Sequence, residues 1–335
     1  MPDTSIVIVT WNGRDHLDAC LTAVAGQEGV EAETIVVDNG STDGTADFVR
    51  GRFPSVRLVR LERNCGFTGG NNAGARGARG RYLVFLNNDT IVERGWLRAL
   101  RQGIDESSGF ALATSLIVYM QEPAAIDSAG DGVTRAGGAF KRLHGLPPSR
   151  ASESREVFGA CGAAFLIPRA VFDEIGGFDD DFFASHEDVD LSYRARLRGY
   201  RCRFVADAVV RHHGSSTLGR VSPFAVFHSQ RNLEWSYVKN TPGPLLVRTF
   251  PSHVIYNLAA AAHFARIGRL GAFLRGKLAA FGGLARMLRK RAAIQRSRRV
   301  SSRDIWRELE PHWLAIKLRE ERFDTSIATS TSVVQ

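Results

Sequence analysis

The chain has 335 residues, of which 44% are hydrophobic, and carries a formal net charge of +9. This length and composition allow a large buried core, so we expect one large domain with an appendage. Four scattered cysteines (Cys20, Cys65, Cys161 and Cys202) argue against a disulfide framework or a zinc site, and no signal-peptide pattern follows Met1, so a cytosolic protein is expected.

The first ninety residues alternate between apolar runs and polar loops. The apolar runs cover residues 5–10, 34–38, 56–61 and 82–86. Helices are predicted over 14–26 and 46–52, and a third opens from the glycine- and amide-rich loop 64–74. This alternation predicts an α/β protein with a parallel, doubly wound sheet.

Polar residues follow three of these predicted strands. They are Thr10 and Asn12, Asp38 and Asn39, and Asn87 and Asp89. Because parallel strands point the same way, these groups should converge at one edge of the sheet, where ligands bind in open α/β folds. Asp89 could hold a hard cation against a phosphate there, although Asn87-Asn88-Asp89 also fits a simple Asx turn.

Two common nucleotide-binding patterns are missing. A dinucleotide fold needs Gly-x-Gly-x-x-Gly after its first strand, and residues 11–14 read Trp-Asn-Gly-Arg. The Walker-type lysine loop is also missing, which disfavours a nicotinamide enzyme and a P-loop enzyme.

The middle of the chain predicts fewer elements. A strand is expected over 111–119, followed by a mobile Gly/Ala/Pro-rich loop beside the site as far as Pro148. A second strand is expected over 157–167, where small residues permit close approach of a ligand or another backbone. A helix over 169–175 follows.

Two further polar clusters follow this region. Glu187, Asp188 and Asp190 precede or begin a helix that stops at Gly199. They could stabilise the first helical turn, or one could act as a general base. His212 and His213 end a strand-like segment and precede Gly-Ser-Ser, which suits a metal or phosphate contact better than a structural role.

Taken together, these motifs resemble the family 2 glycosyltransferases, specifically their bacterial rhamnosyltransferase-like branch, over residues 4–240. The motifs are Val-Thr-Trp-Asn at 9–12, Val-Asp-Asn-Gly-Ser-Thr-Asp-Gly-Thr at 37–45, Asn64-x-Gly66-Phe67 with Asn71 and Gly74, Leu-Asn-Asn-Asp at 86–89, Gly-Gly-Phe-Asp at 176–179, Glu-Asp-Val-Asp at 187–190, and His212. The resemblance implies a GT-A fold that binds a nucleoside-diphosphate sugar and Mg²⁺ or Mn²⁺.

The same resemblance implies roles for individual residues. Thr10, Asn12 and Asp38 should meet the nucleobase and ribose, and the remaining nucleotide-binding residues should be Asn39, Asn71, Asn87 and Asn88. Asp89 should coordinate the metal with help from His212, with His213 as the fallback, because Asn87 replaces the first carboxylate of the family's Asp-x-Asp element. Asp188 should be the catalytic base, supported by Glu187.

These roles agree with the chemistry. A divalent ion neutralises the departing diphosphate, and a carboxylate takes the proton of the attacking hydroxyl. One base without a second nucleophile predicts a single displacement that inverts the anomeric centre. The resemblance implies dTDP-rhamnose as the donor, with a UDP-sugar possible, and the expected acceptor is a lipid-linked glycan or a polysaccharide. A non-catalytic nucleotide- or glycan-binding protein and a nucleotidyltransferase are the alternatives.

The net positive charge of the chain comes from one segment. Residues 245–303 hold thirteen Lys and Arg and no Asp or Glu, whereas the rest of the chain holds 31 basic and 35 acidic residues. The uncharged stretch 249–265 is marginal for crossing a bilayer about 30 Å thick. Beyond it, apolar residues recur every three to four positions between basic residues, which favours interfacial helices on an anionic membrane.

A helical hairpin packed on the catalytic domain is the alternative for this segment, and no groove-reading motif supports nucleic-acid binding. We therefore expect a catalytic domain over 1–240, divided near residue 110 into nucleotide- and acceptor-binding halves. A basic, membrane-associating helical extension over 241–323 and a disordered tail over 324–335 should follow. The protein should be peripheral on the inner face of the cell membrane.

Overall fold

The computed structural model describes residues 2–120, 124–214 and 221–331. The strands are β1 (Thr4–Thr10), β2 (Ala32–Asp38), β3 (Arg57–Arg60), β4 (Tyr82–Asn87), β5 (Thr90–Val92), β6 (Phe110–Tyr119), β7 (Ile126–Ser128), β8 (Asp131–Val133), β9 (Ala139–Lys141), β10 (Arg155–Val157), β11 (Ala164–Pro168) and β12 (Arg201–His212). The α-helices are α1 (Arg14–Ala25), α2 (Thr45–Arg52), α3 (Gly66–Gly77), α4 (Trp96–Gln102), α5 (Arg169–Glu174), α6 (Glu187–Leu197), α7 (Pro223–Asn240), α8 (Gly243–Arg266), α9 (Leu270–Gly282), α10 (Leu284–Arg296), α11 (Ser302–Glu308) and α12 (Trp313–Thr331).

Ten strands form one sheet, whose main path runs β10-β12-β6-β11-β4-β1-β2-β3. Strands β4, β1, β2 and β3 are parallel, as are β6 and β12, whereas β11 runs antiparallel to both of its neighbours. The predicted α/β class is confirmed: a mostly parallel, doubly wound sheet is followed by a helical C-terminal region.

Strand β4 lies in the middle of this sheet. Residues Tyr82 to Leu86 are each at most 2% exposed, because apolar side chains cover both faces of the sheet. Phe85 belongs to the apolar cluster on one face, and Leu86 belongs to the cluster on the other. A strand buried on both faces has a continuous apolar run, which is why this strand was predictable from sequence.

The prediction of a mobile loop through Pro148 is wrong for residues 126–141. This stretch forms β7, β8 and β9, and Ile126, Asp127 and Ser128 are fully buried. Its many small residues permit tight packing rather than mobility. The predicted strand over 157–167 is also divided, because the loop 158–163 separates β10 from β11.

The C-terminal helices pack on the catalytic part of the chain. Trp235 of α7 lies in one buried cluster with Phe182, Ala280 of α9 and Met287 of α10. No helix within the described residues is long and apolar enough to cross a membrane. Helix α12 continues to Thr331, into the segment expected to be disordered, and residues 332–335 lie outside the described ranges.

Candidate active site

The ends of β1, β2 and β4 lie at one edge of the sheet. Thr10 pairs with Asp38 across β1 and β2, and Val9 pairs with Asn87 across β1 and β4. Asn88, just beyond β4, donates from Nδ2 to Thr10 Oγ1 at 3.0 Å. The expected convergence of the three strand ends is therefore present.

Asp38 offers an unfilled hydrogen-bond acceptor at this edge. Its Oδ1 accepts the backbone N–H of Ser41 at 2.9 Å, whereas Oδ2 is buried and has no hydrogen-bond partner among the described residues. The nearest cation is the Arg60 guanidinium, at 3.8 Å from Oδ2. Asn12 closes the neighbouring loop by accepting the N–H of Thr42 at 2.8 Å. A buried polar atom without a partner is costly, so Oδ2 is suited to receive a donor from a ligand.

Two of the expected nucleotide-binding amides make contacts within the protein. Asn39 is 2% exposed, donates to the Gly66 carbonyl at 3.0 Å and accepts the N–H of Cys65 at 2.9 Å. Asn71 donates to the carbonyl of Phe67 at 2.9 Å. The Asn39 contacts hold the start of α3 against the end of β2, whereas the Asn71 contact lies within α3.

Asp89 and His212 lie side by side. Strand β5 pairs with β12 so that Thr90 lies opposite His212, which places His212 Nε2 3.3 Å from Asp89 Oδ1. His213 instead donates its backbone N–H to the Asp89 carbonyl, and its ring contacts His16 of α1 at 4.8 Å between centroids. The geometry therefore favours His212 over His213 as a partner of Asp89. Ser215 and Ser216, which follow in the same motif, lie outside the described residues.

Asp127 orients His212 from the other side. Its Oδ2 lies 2.8 Å from His212 Nδ1, while Oδ1 accepts from Tyr119 Oη at 2.6 Å and Lys141 Nζ at 2.7 Å. Burial opposes charge on Asp127, yet Lys141 and His212 hold the pKa of its carboxyl well below the usual range. This residue was missed in the sequence because a lone Asp in a Gly/Ala-rich stretch carries no local signal.

The donor set fits a divalent cation. Burial alone would lower the pKa of His212, but its hydrogen bonds to Asp127 and Asp89 raise it to about 9, so without a metal the ring bridges two carboxylates as a cation. A carboxylate that accepts Nδ1–H fixes the tautomer whose Nε2 can bind a metal. Asp89 and His212 are therefore two suitable ligands for a cation at the end of β4.

Asp188 is held at the start of α6. Its Oδ2 accepts the N–H of Gly162 at 2.8 Å, and its Oδ1 accepts the N–H of Val189 at 2.8 Å. A Cβ atom at Gly162 would lie 3.0 Å from Asp188 Oδ2, so only glycine fits this approach without displacement. The close approach expected from the small residues of this segment is thus observed, with Asp188 half-buried at the loop 158–163.

The neighbouring carboxylates differ in role. Glu187 is 7% exposed, and burial, followed by the charge of Asp188, raises its pKa to about 8. Asp190 is fully buried and is bound by Arg194 Nε at 2.9 Å and Lys239 Nζ at 2.7 Å. Asp190 therefore joins α6 to α7 as a structural group.

The segment that leads into α6 is conformationally strained. Phe183, Ser185 and His186 all have positive φ angles, between 65° and 71°. Asn232 of α7, which is fully buried, donates from Nδ2 towards the carbonyls of this segment. The acceptors are Phe182 O at 2.9 Å, Ala184 O at 2.8 Å and Ser185 O at 2.7 Å. Strained backbone that is held in place by several surrounding contacts is common at catalytic sites.

The fold and the polar strand ends define a GT-A glycosyltransferase. The chain belongs to glycosyl transferase family 2, whose family model matches residues 5–176. It is 28% identical over 244 residues to the N-acetylglucosaminyl-diphospho-decaprenol L-rhamnosyltransferase of Mycobacterium tuberculosis, an alignment that covers 64% of this chain and 77% of that one. The rhamnosyltransferase-like branch indicated by the motifs is therefore supported.

Solved structures share the fold at low sequence identity. The mannosyltransferase PcManGT from Pyrobaculum calidifontis, in complex with GDP-Man and Mn²⁺, is 19% identical with a TM-score of 0.53, over 88% of this chain and 84% of that one. GalNAc-T7 with UDP, GalNAc and Mn²⁺ is 20% identical with a TM-score of 0.57, over 71% and 48%. Such complexes are consistent with divalent metal use in GT-A enzymes.

Proposed function

We propose that this chain is an inverting, metal-dependent glycosyltransferase that moves L-rhamnose from dTDP-rhamnose onto a lipid-linked or polysaccharide acceptor in cell-surface glycan synthesis. The observation that carries the proposal is the 3.3 Å approach of His212 Nε2 to Asp89 Oδ1, with Asp127 behind the histidine. This arrangement supports a cation site at the charge-poor Asn87-Asn88-Asp89 element.

Each residue then has a defined role. Asp38 accepts a donor from the nucleobase, and Thr10 and Asn12 lie beside the ribose, with Asn87 and Asn88 next to the diphosphate and Asn39 and Asn71 supporting the pocket from behind. Asp89 and His212 would hold Mg²⁺ or Mn²⁺, which supplies Lewis acidity to the leaving diphosphate. Asp188 removes the proton of the acceptor hydroxyl as that oxygen attacks the anomeric carbon, and Glu187 supports Asp188.

The donor and acceptor rest on the similarity to one relative. That protein is named as a rhamnosyltransferase acting on a decaprenyl-diphosphate-linked sugar, and it aligns with this chain at 28% identity. A UDP-sugar donor is the runner-up. The catalytic domain would cover 1–240, with nucleotide- and acceptor-binding halves that meet near residue 110.

A lipid-linked acceptor gives the helical extension, residues 241–323, a purpose on the membrane. Every exposed residue of α8 between Arg248 and Arg266 is apolar. These residues are Phe250, Pro251, Val254, Ile255, Leu258, Ala259, Ala262 and Ala265. Leu274, Leu278 and Phe281 of α9 are also exposed, and no acidic residue occurs from 245 to 303.

An apolar helix face among exposed arginines matches an anionic lipid surface at the headgroup level. The protein would thus lie on the cytoplasmic face of the cell membrane without crossing it, where it meets a lipid-linked acceptor.

Activity is tested with the purified full chain, Mn²⁺ or Mg²⁺, a panel of dTDP-, UDP- and GDP-sugars and a prenyl-diphosphate-linked N-acetylglucosamine acceptor. We expect release of the nucleoside diphosphate from dTDP-rhamnose and its loss in Asp188→Asn, with Asp47→Asn, whose side chain is 88% exposed, as the control. Robust turnover in Asp188→Asn would refute the base assignment. Nucleotide binding without transfer from any donor would favour a non-catalytic protein.

A further inference from the structure

A second acidic side chain lies beside Asp188. Asp131 begins β8 and is 5% exposed, and its backbone exchanges two hydrogen bonds with Gly159 at 2.9 and 3.1 Å. Single ligand atoms of Asp131, Asp188 and Cys161 all lie within 4.8 Å of one another. We call Asp131 and Asp188 the acid pair. Both residues are hydrogen-bonded to the loop 158–163, Asp131 through its backbone to Gly159 and Asp188 through its side chain to Gly162.

Among the described residues, one positive charge acts on Asp131. Lys141 is the nearby cation, and its Nζ already donates to Asp127 Oδ1 at 2.7 Å. Asp127 adds a negative charge, and burial raises the pKa values of Cys161 and Cys202, so both remain neutral thiols. Two like charges this close in a buried site cannot both be maintained cheaply, so one carboxyl keeps a proton.

The proton belongs on Asp131. Asp188 is half-buried and accepts two backbone N–H groups, which favour its charged form. Asp131 has no comparable set of donors among the described residues: its Oδ1 accepts a long, 3.4 Å hydrogen bond from Ser128. Burial, followed by the charge of Asp188, raises the pKa of Asp131 well above the usual range.

We propose that Asp131 is a positioning residue for the transfer reaction: it retains a proton and donates that O–H to the Asp188 carboxylate, which keeps Asp188 ionised and oriented towards the acceptor. This inference rests on the base role proposed for Asp188. During turnover the acceptor proton passes to Asp188, and Asp131 keeps its own proton. No metal is required at this acid pair.

Infrared difference spectroscopy tests the protonation state without needing activity. Glu187 is also expected to be protonated near neutral pH, so the measurement is made in the Glu187→Gln background, where a band of a protonated buried carboxyl should remain. Adding Asp131→Asn should remove that band. A band that persists in the double variant, or one that is missing before Asp131 is replaced, would overturn the proposal.

The pH dependence of kcat/KM separates positioning from packing. Asp131→Ala removes the O–H group that donates to Asp188. The apparent pKa of the acidic limb, which we assign to Asp188, should therefore rise by about one unit, which corresponds to the free energy of one hydrogen bond to a charged group. Asp131→Asn keeps an N–H donor and should restore the wild-type limb. Val133→Ala, a buried apolar truncation in the same strand, should reduce stability and leave the limb in place.

An unshifted limb in Asp131→Ala, or an Asp131→Asn enzyme as impaired as Asp131→Ala, would contradict the positioning role. If the wild type transfers no sugar from any donor, the proposed function fails, whereas the infrared measurement still decides where the proton lies.

Discussion

At the scale of single residues, Asp127 determines how His212 is presented. The two side chains are 85 positions apart in the chain and meet through a 2.8 Å hydrogen bond. A carboxylate in this position fixes the ring orientation and raises the basicity of the ligand nitrogen. The proposed cation site therefore depends on a residue that would not itself touch the metal.

We expect Asp127→Asn to weaken Mn²⁺ binding about 10- to 100-fold, as replacement of such supporting carboxylates does in other metal sites. The measurement is a Mn²⁺ titration followed by electron paramagnetic resonance, with Asp47→Asn as the control. Nucleotide binding without metal should be unaffected. Equal Mn²⁺ affinity in the wild type and Asp127→Asn would show that Asp127 does not support the site.

Glu187 makes a pH-dependent contribution to stability. Its pKa is about 8 in the folded protein against an ordinary value of 4.5, so the folded state retains a proton that the unfolded state releases above pH 4.5. The free energy of unfolding therefore falls as pH rises from about 4.5 to 8 because of this group.

Glu187→Gln removes that loss of stability. Its free energy of unfolding relative to the wild type should increase across the same pH window by up to about 1.4 kcal/mol per pH unit. Urea unfolding at several pH values measures this difference, with the exposed Glu62→Gln as a control that should show no trend. A difference independent of pH would mean that Glu187 is ionised in the folded protein.

At the scale of secondary-structure elements, α7 holds the segment that carries Asp188 into the site. Asn232 contacts three carbonyls of a strained backbone segment, and Arg231 Nη2 adds donors to Asp181 O at 3.1 Å and Phe182 O at 2.8 Å. The first turn of α6 is thus positioned by contacts that α7 makes with the segment before it.

We expect Asn232→Ala to lower the free energy of unfolding by about 1–3 kcal/mol, since buried carbonyls lose their donor. Turnover should fall as well, because the relaxed segment displaces Asp188. Asn257→Ala, which removes an amide bonded within α8 only, is the matched control. Normal turnover in a destabilised Asn232→Ala protein would separate the stability of this segment from the placement of Asp188.

At the scale of the whole molecule, the exposed face of α8 should decide whether the enzyme stays on a membrane. Leu258 is 66% exposed at the centre of this face. Leu258→Glu should reduce partitioning onto phosphatidylglycerol-containing vesicles about 10- to 100-fold, because burial of one leucine is worth about 1.5–3 kcal/mol.

Vesicle co-sedimentation measures this effect, and Gly51→Glu provides the same charge change in α2, where a Cβ atom has open space. Transfer to a water-soluble acceptor should be retained in both variants. Equal partitioning of both variants and the wild type would exclude α8 as the membrane contact.

The local pattern of the sequence determined much of the fold and part of the site. Strand β4 is predictable because a strand buried on both faces is continuously apolar, and Thr10, Asp38 and Asn87 are predictable because parallel strands end at one edge. The loop 158–163 was expected to permit close approach because it is rich in small residues. Each of these signals lies within a few neighbouring residues.

Only the tertiary structure decided the partners of these groups. The pairing of β5 with β12 brings His212 to Asp89, and the segment 127–131 reaches from His212 at Asp127 to Asp188 at Asp131. Those contacts depend on strand register between distant parts of the chain, which local periodicity does not encode. Asp127 and Asp131 lie in a Gly/Ala-rich stretch whose local pattern resembles a turn. Their proposed roles follow only from their buried contacts with residues that are distant in the sequence.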